Sequence, residues 1–254
     1  GVKPRGTRPA PLVDSTDRTE RICHSLGNGD LMRLIAHRGF DEQYSANTVA
    51  AIEQAIPQAD MVELDIRRCA SGELVVAHNP LVDIDIVGVD QVDQLTASEL
   101  AALDAHDGEG IQTLDAVLDE TPAKVGVNLE LKDPDITDQA LEMAESTPHE
   151  IIISSFDPDA LRGVHPEENA NVELGYVLGA TPDDDIGVAT DLDCAFVHPN
   201  AWLCLLTGVI ADAHDAGLRV NAWTVDSRLG AWALSCRGVD GFIASSPHVT
   251  GWIE

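Results

Sequence analysis

The sequence has few aromatic side chains and no long apolar run. Aromatic residues make up 4% of the 254 positions, whereas hydrophobic residues make up 44%, so the core must consist mainly of Ala, Val, Leu and Ile. The apolar runs are shorter than the roughly 18–20 residues that a membrane-spanning helix needs, so we expect no stable membrane insertion. The length fits one α/β barrel or two small domains.

Cysteine is also scarce. The five cysteines are odd in number, widely separated and without a Cys-x-x-Cys spacing. This pattern fits neither a disulfide framework nor a zinc site. It indicates a reducing compartment, and we predict a cytoplasmic protein whose cysteines are buried structural thiols rather than nucleophiles.

Positive charge is the third shortage. Three lysines and twelve arginines stand against 44 acidic residues, which gives a net charge of −29. Such a chain repels phosphate backbones, which excludes general electrostatic binding of nucleic acid or anionic membranes. The acidic residues are spread along a chain that keeps its hydrophobic pattern, which disfavours disorder. We therefore hypothesise a halophilic protein that works at high salt, where screening weakens the self-repulsion.

The first part of the chain differs from the rest. Residues 1–30 contain Pro and Arg with little apolar pattern, and we expect a poorly ordered leader or arm there. From residue 31 onward, short apolar runs alternate with amphipathic stretches. This alternation predicts a single, somewhat irregular (β/α)8 TIM barrel over residues 31–254.

Nine segments qualify as strands, one more than such a barrel holds. They are residues 32–37, 61–67, 74–78, 125–132, 151–156, 172–178, 194–197, 218–224 and 241–245. The link into the third segment is too short for a helical crossover, so we expect a hairpin or an irregular pair there. Residues 82–96 have little helical period and predict an insertion after the third strand.

Carboxylates recur on one face of two predicted strands. Because strand side chains alternate, Glu63 and Asp65 in "MVELDIRR" share the barrel-interior face, as do Glu130 and Lys132 in "VGVNLELKD". At about 4 Å and an effective dielectric near 20, each carboxylate pair would cost on the order of 4 kcal/mol, so a positive charge is needed. Oxygen ligands favour a divalent cation such as Mg²⁺ or Ca²⁺. A metal-free network with Arg38 and Lys132 is the alternative.

Two histidines end predicted strands, His37 after "LIA" and His78 after "LVVA". A single histidine at a strand end is usually structural or solvated. Two of them, in successive units of a barrel whose active face lies at the carboxyl ends of its strands, indicate acid–base chemistry. His198 in "FVHPN" also follows a strand and is a weaker candidate for substrate contact.

The ordered motifs H-R-G, E-x-D, V-V-x-H, E-x-K and W-T-V resemble those of the glycerophosphodiester phosphodiesterase family, over about residues 31–247. The resemblance implies a (β/α)8 barrel that hydrolyses a small glycerophosphodiester to sn-glycerol 3-phosphate and an alcohol with a divalent cation. The roles that it implies are acid–base catalysis by His37 and His78, phosphate contacts from Arg38 and Lys132, a pocket wall at Trp223, and metal binding by Glu63, Asp65 and Glu130.

The sequence departs from the family pattern near these motifs. Ala46, Asn79 and Ser245 stand where the family's P-E-N-T, H-D and T-D-x-P motifs carry acidic residues, and Asp226 follows W-T-V in place of Asn. Ala46 cannot hold Arg38 as a glutamate would. Two alternatives therefore stay open: a phospholipase D-like enzyme acting on lysophospholipid head groups, and a catalytically impaired barrel that binds a phosphorylated ligand.

Overall fold

Strands and helices alternate along the chain in a computed structural model, which describes residues 32–84, 88–104, 108–166, 171–179 and 185–250. The strands are β1 Arg33–His37, β2 Met61–Arg68, β3 Leu74–Val76, β4 Leu81–Ile84, β5 Gly88–Gln91, β6 Gly126–Leu131, β7 Ile151–Ser155, β8 Val172–Leu178, β9 Phe196–Pro199, β10 Arg219–Ala222 and β11 Gly241–Ala244. The predicted leader, residues 1–30, lies outside the described residues.

The helices are short. They are α1 Val49–Ala55, α2 Ala97–Ala101, α3 Leu114–Glu120, α4 Thr137–Ser146, α5 Pro158–Leu161, α6 Asp185–Asp191, α7 Ala201–Leu206, α8 Val209–Asp215 and α9 Arg228–Cys236, with 3₁₀ turns at Val92–Gln94, Pro134–Ile136 and Pro247–Thr250. Among the described residues, no helix is both long enough and apolar enough to span a bilayer.

Eight parallel strands close into a barrel, which confirms the predicted (β/α)8 architecture. They follow the order β1-β11-β10-β9-β8-β7-β6-β2, and a β1–β2 pairing closes the ring. The register places His37 beside Glu63 and Asp65 beside Glu130. The carboxyl ends of these strands therefore bring the polar strand-end residues to one end of the barrel.

The additional predicted strand lies outside the parallel ring. β3 pairs antiparallel with β2, with Ile66 opposite Val76, as the short link predicted. The insertion after it contains a separate antiparallel pair, β4 and β5, followed by the turn at Val92–Gln94. Residues 85–87 between these strands are outside the described residues.

The two faces of the barrel strands build two apolar layers. Val62, Leu64 and Ile66 are fully buried in the larger cluster, which also contains helix residues. The smaller cluster inside the barrel contains Ile35, Met61, Ile152, Phe196 and Ile243. This division confirms the alternation predicted for β2 and leaves Glu63 and Asp65 on the interior face.

The sequence offers capping residues for two helix starts, Thr48 before Val49 and Ser98 before Glu99-Leu100, and the structure confirms the first of them only. Thr48 caps α1 by accepting a hydrogen bond from Ala51 N, as predicted. The cap of α2 is Thr96 rather than Ser98, because Thr96 and Glu99 form a reciprocal capping box. A Glu three residues after a Thr is the sequence signal that identifies Thr96 as the cap.

All four cysteines within the described residues are free. Cys69, Cys194 and Cys204 are buried, in agreement with the structural role expected, whereas Cys236 is exposed. Burial raises the pKa of Cys194 and of Cys204 to about 12, which keeps both thiols protonated at neutral pH. A thiol in that state is a poor nucleophile.

Candidate active site

A left-handed turn follows β1 and sets the position of Arg38. Arg38, Gly39 and Phe40 have φ angles of 50°, 79° and 68°. A Cβ atom on Gly39 would lie 2.8 Å from the Cβ of Ala51, so glycine is required where this turn meets α1. The turn directs the backbone N–H of Arg38 to Glu63 Oε2, at 3.0 Å.

Asp65 is the centre of the charged network. Its Oδ2 lies 2.8 Å from Arg38 Nε and 3.1 Å from His78 Nδ1, and its Oδ1 lies 2.8 Å from Lys132 Nζ. Asn47 Nδ2 donates a further hydrogen bond to Oδ2. Burial alone would raise the pKa of Asp65, but the contacts with His78, Lys132 and Arg38 outweigh it and hold that pKa well below its usual range.

The three carboxylates predicted as metal ligands come together. One carboxylate oxygen from each of Glu63, Asp65 and Glu130 lies within 4.8 Å of the other two. Burial first, and then repulsion from Asp65 and Glu130, raises the pKa of Glu63 to about 8. Glu63 Oε1 is buried and has no hydrogen-bond partner among the described residues. This set of oxygen donors fits a hard divalent cation.

Cationic side chains also neutralise part of this cluster. Lys132 pairs with Glu130 as well as with Asp65. Burial would lower the pKa of Lys132, but these two carboxylates outweigh that effect and raise it. The acidic charge can therefore be balanced in either of two ways. The three carboxylates are placed to bind a cation, and Arg38 and Lys132 are placed to pair with them.

His37 contacts a carboxylate that the sequence did not single out. Its Nδ1 lies 3.0 Å from Asp41 Oδ2 and 3.5 Å from Ser245 Oγ. Burial would lower the pKa of His37, but Asp41 and Glu63 outweigh it and raise that pKa. The available sequence signal was a spacing of four residues between His37 and Asp41 across the glycine turn.

Trp223 lies beside an exposed aromatic ring, and that ring lies near a lysine. It meets Phe156 edge-on, with ring centroids 5.3 Å apart, and its Nε1 donates to the carbonyl of His198 at 2.7 Å. Lys132 Nζ lies 5.9 Å from the Phe156 ring centroid. Phe156 directly follows β7, and 43% of it is exposed. Phe156 is therefore a second candidate for the pocket wall, one that no motif in the sequence indicates.

His198 does not belong to the site. It is 1% exposed, and burial lowers its pKa to about 3. Asn221 Nδ2 lies 3.4 Å from its Nε2, and a Cβ on Gly175 would approach that nitrogen to 2.9 Å. The expectation of a substrate contact was wrong, because this side chain is packed inside the barrel as a neutral imidazole.

The arrangement has the groups that phosphate chemistry needs. Arg38 and Lys132 can balance anionic oxygens, and the imidazoles of His37 and His78 are groups that can accept and donate protons. Arg38 Nη2 lies 3.5 Å from His78 Nε2, and Asp65 contacts both residues. The cationic and proton-transferring groups of this half of the site are therefore held by one carboxylate.

Comparisons with known proteins point to the same chemistry. The model of the Glycerophosphoryl diester phosphodiesterase family matches residues 37–249. A glycerophosphodiester phosphodiesterase of Caldanaerobacter subterraneus subsp. tengcongensis is 29% identical over 231 residues, covering 85% of this chain and 94% of the relative.

Solved structures share the fold over nearly their whole length. An Oleispira antarctica phosphodiesterase in complex with the product sn-glycerol-3-phosphate has a TM-score of 0.76 and 25% identity, and the match covers 87% of this chain and 96% of that one. A glycerophosphodiester phosphodiesterase from Thermotoga maritima has a TM-score of 0.75 and 24% identity, with 89% of this chain and 100% of that one covered.

Proposed function

The chain belongs to the glycerophosphoryl diester phosphodiesterase family, whose members are phosphoric diester hydrolases, and we propose that it hydrolyses glycerophosphodiesters to sn-glycerol 3-phosphate and an alcohol. The observation that carries the proposal is the Asp65 network. One buried carboxylate contacts Arg38, Lys132 and His78 at the carboxyl ends of the barrel strands. The relative that holds sn-glycerol-3-phosphate supports this substrate class.

Arg38 and Lys132 have the role of phosphate ligands in this proposal. Hydrolysis of a phosphodiester places negative charge on the non-bridging oxygens, and fixed cations lower the barrier by neutralising it. Asp65 keeps both side chains in place before substrate binds. The guanidinium of Arg38 can donate two parallel hydrogen bonds to phosphate, whereas Lys132 acts as a compact charge.

His37 and His78 have the role of the acid–base pair. One ring takes a proton from the attacking water while the other gives a proton to the departing alcohol oxygen. Histidine suits both tasks, because its ordinary pKa lies near neutral pH. Asp41 contacts His37 and Asp65 contacts His78, so each ring has its own carboxylate.

Glu63, Asp65 and Glu130 would hold the divalent cation, Mg²⁺ or Ca²⁺. When bound, such a cation polarises a phosphate oxygen and lowers the pKa of a bound water. Oε1 of Glu63 supports this assignment, because it is buried and has no hydrogen-bond partner in the part of the chain that the structure describes. The pocket wall proposed for the substrate is formed by Trp223 with Phe156.

Turnover of glycerophosphoethanolamine tests the proposal, with release of glycerol 3-phosphate measured at high salt, with and without a chelator. We expect activity in the wild type, its loss with chelator, and a loss of about 10²-fold or more in His37→Ala. Activity that is changed neither by the chelator nor by the His37→Ala substitution would overturn the assignment. Turnover of lysophosphatidylcholine alone would favour the phospholipase D-like alternative, and binding of sn-glycerol 3-phosphate without turnover would favour the impaired barrel.

A further inference from the structure

Two elements approach the same nitrogen of His37 from different sides. Asp41 Oδ2, from the loop after β1, lies 3.0 Å from Nδ1, and Ser245 Oγ, from the end of β11, lies 3.5 Å from it. The register of β1 with β11 pairs Ala36 with Ala244, so residue 245 follows β11 next to His37. Nδ1 therefore faces protein groups on both sides.

Ser245 is too weak a partner to orient an imidazole that must carry charge. A hydroxyl both donates and accepts, so it does not select one ring tautomer, whereas an ionised carboxylate only accepts. Asp41 supplies that carboxylate, and its contact with His37 holds the pKa of Asp41 below its ordinary range although burial opposes this. Position 245 is where the sequence departs from the T-D-x-P motif.

We propose that Asp41 is a positioning residue for His37: it accepts the Nδ1 proton, fixes the ring, and leaves Nε2 as the nitrogen that exchanges a proton with the reacting oxygen. In this role it takes the place of a carboxylate at position 245. The inference rests on the proposed function for the meaning of Nε2, whereas the tautomer that it assigns to His37 can be measured without turnover.

The loop that carries Asp41 is fastened at several points. Asp41 N donates to the carbonyl of His37 at 3.2 Å, and Phe40, which precedes it, is fully buried. Glu42 N donates to the carbonyl of Ser245 at 3.2 Å, which ties the loop to the end of β11. A side chain on a loop held in this way loses little conformational freedom when it contacts His37.

Steady-state kinetics of four variants test the role. We expect Asp41→Ala to lower kcat by about 10–100-fold with KM within about 3-fold, and Asp41→Asn to lower kcat similarly, because an amide does not replace an accepting carboxylate. Glu42→Ala, the matched loss of a neighbouring acid, should change kcat less than about 2-fold. The double variant Asp41→Ala/Ser245→Asp should recover at least about 10-fold in kcat, because a carboxylate then reaches Nδ1 from β11.

Nitrogen NMR of ¹⁵N-histidine-labelled protein gives the second readout. At alkaline pH we expect neutral His37 to carry its proton on Nδ1 in the wild type and in the double variant, and to shift towards the Nε2–H form in Asp41→Ala. An unchanged kcat in Asp41→Ala, or an unchanged tautomer, would overturn the proposal. If the wild type has no phosphodiesterase activity but the tautomer of His37 still shifts in Asp41→Ala, the proposed function fails and the role of Asp41 in orienting His37 stands. If Asp41→Ala does not fold, Asp41→Asn carries both measurements.

Discussion

Arg38 Nε lies 2.8 Å from Oδ2 of Asp65, a buried carboxylate on the neighbouring strand. The arginine of the H-R-G motif is therefore held from β2 and does not depend on position 46, where an alanine replaces the family's glutamate. Asn47, the next residue, contributes instead by donating to the same Asp65 oxygen. The altered motif therefore still contributes to the position of Arg38, because Asn47 binds the Asp65 carboxylate that contacts Arg38.

Restoring the family's glutamate at position 46 should have little effect on catalytic efficiency. We expect Ala46→Glu to change kcat/KM less than about 3-fold, because Arg38 already has an ionic partner, whereas Asp65→Asn should lower it by about 10²-fold or more. Steady-state kinetics measure both, with Ala50→Glu on the exposed side of α1 as the matched control. A tenfold gain in Ala46→Glu alone would mean that Asp65 holds Arg38 poorly.

The three clustered carboxylates should determine the affinity for the divalent cation. We expect Glu63→Gln and Glu130→Gln each to weaken Mg²⁺ or Ca²⁺ binding by about 10–100-fold, measured by isothermal titration calorimetry. Glu73→Gln, on an exposed residue, is the control. Equal affinity in all four proteins would instead support charge balance by Arg38 and Lys132 alone.

His198 should make the protein sensitive to acid. Its folded-state pKa of about 3 lies below the ordinary 6.5, so the unfolded chain binds a proton there that the folded chain does not. This contribution to stability is complete above about pH 6.5 and is lost as the pH falls towards about 3, at up to about 1.4 kcal/mol per pH unit. Urea unfolding across this range should give a flatter profile for His198→Gln than for the wild type, whereas exposed His165→Gln should follow the wild type. Parallel profiles in all three would refute the effect.

High salt should stabilise this acidic chain. With a net charge of −29, screening should raise the melting temperature by roughly 10 °C between dilute buffer and molar KCl. Sucrose is the control, because it favours the compact state without screening charge. A melting temperature that does not change with KCl would rule out the halophilic interpretation.

The aromatic pair beside Lys132 should act on substrate binding. We expect Trp223→Ala and Phe156→Ala each to raise KM by about 3–10-fold with a smaller change in kcat, because the two rings form the proposed pocket wall. Kinetics with glycerophosphoethanolamine measure this, and Trp232→Ala, an exposed tryptophan on α9, is the control. A loss confined to kcat, with KM unchanged, would contradict a role of these rings in substrate binding.

The sequence by itself determined the barrel and the faces of its strands. Strand alternation is a local property, so "MVELDIRR" was sufficient to place Glu63 and Asp65 inside and Leu64 outside. The strand end at His37 could be predicted from its apolar run. His78 was expected to end a strand of the barrel, but it follows the antiparallel strand β3, which ends at Val76 outside the parallel ring. The link to β3 excluded a parallel crossover by its length alone, because a crossover helix does not fit into so few residues.

Only the tertiary structure decided which of these groups touch. Closure of the ring by β1 between β2 and β11 puts Asp65 on Arg38 and Ser245 on His37, contacts between residues far apart in the chain. The contact of Asp41 with His37 depends on a left-handed turn, and the exclusion of His198 depends on its depth in the barrel. Residue order specifies the face of each side chain, but burial and charge pairing follow from distances that exist only after the strands have closed.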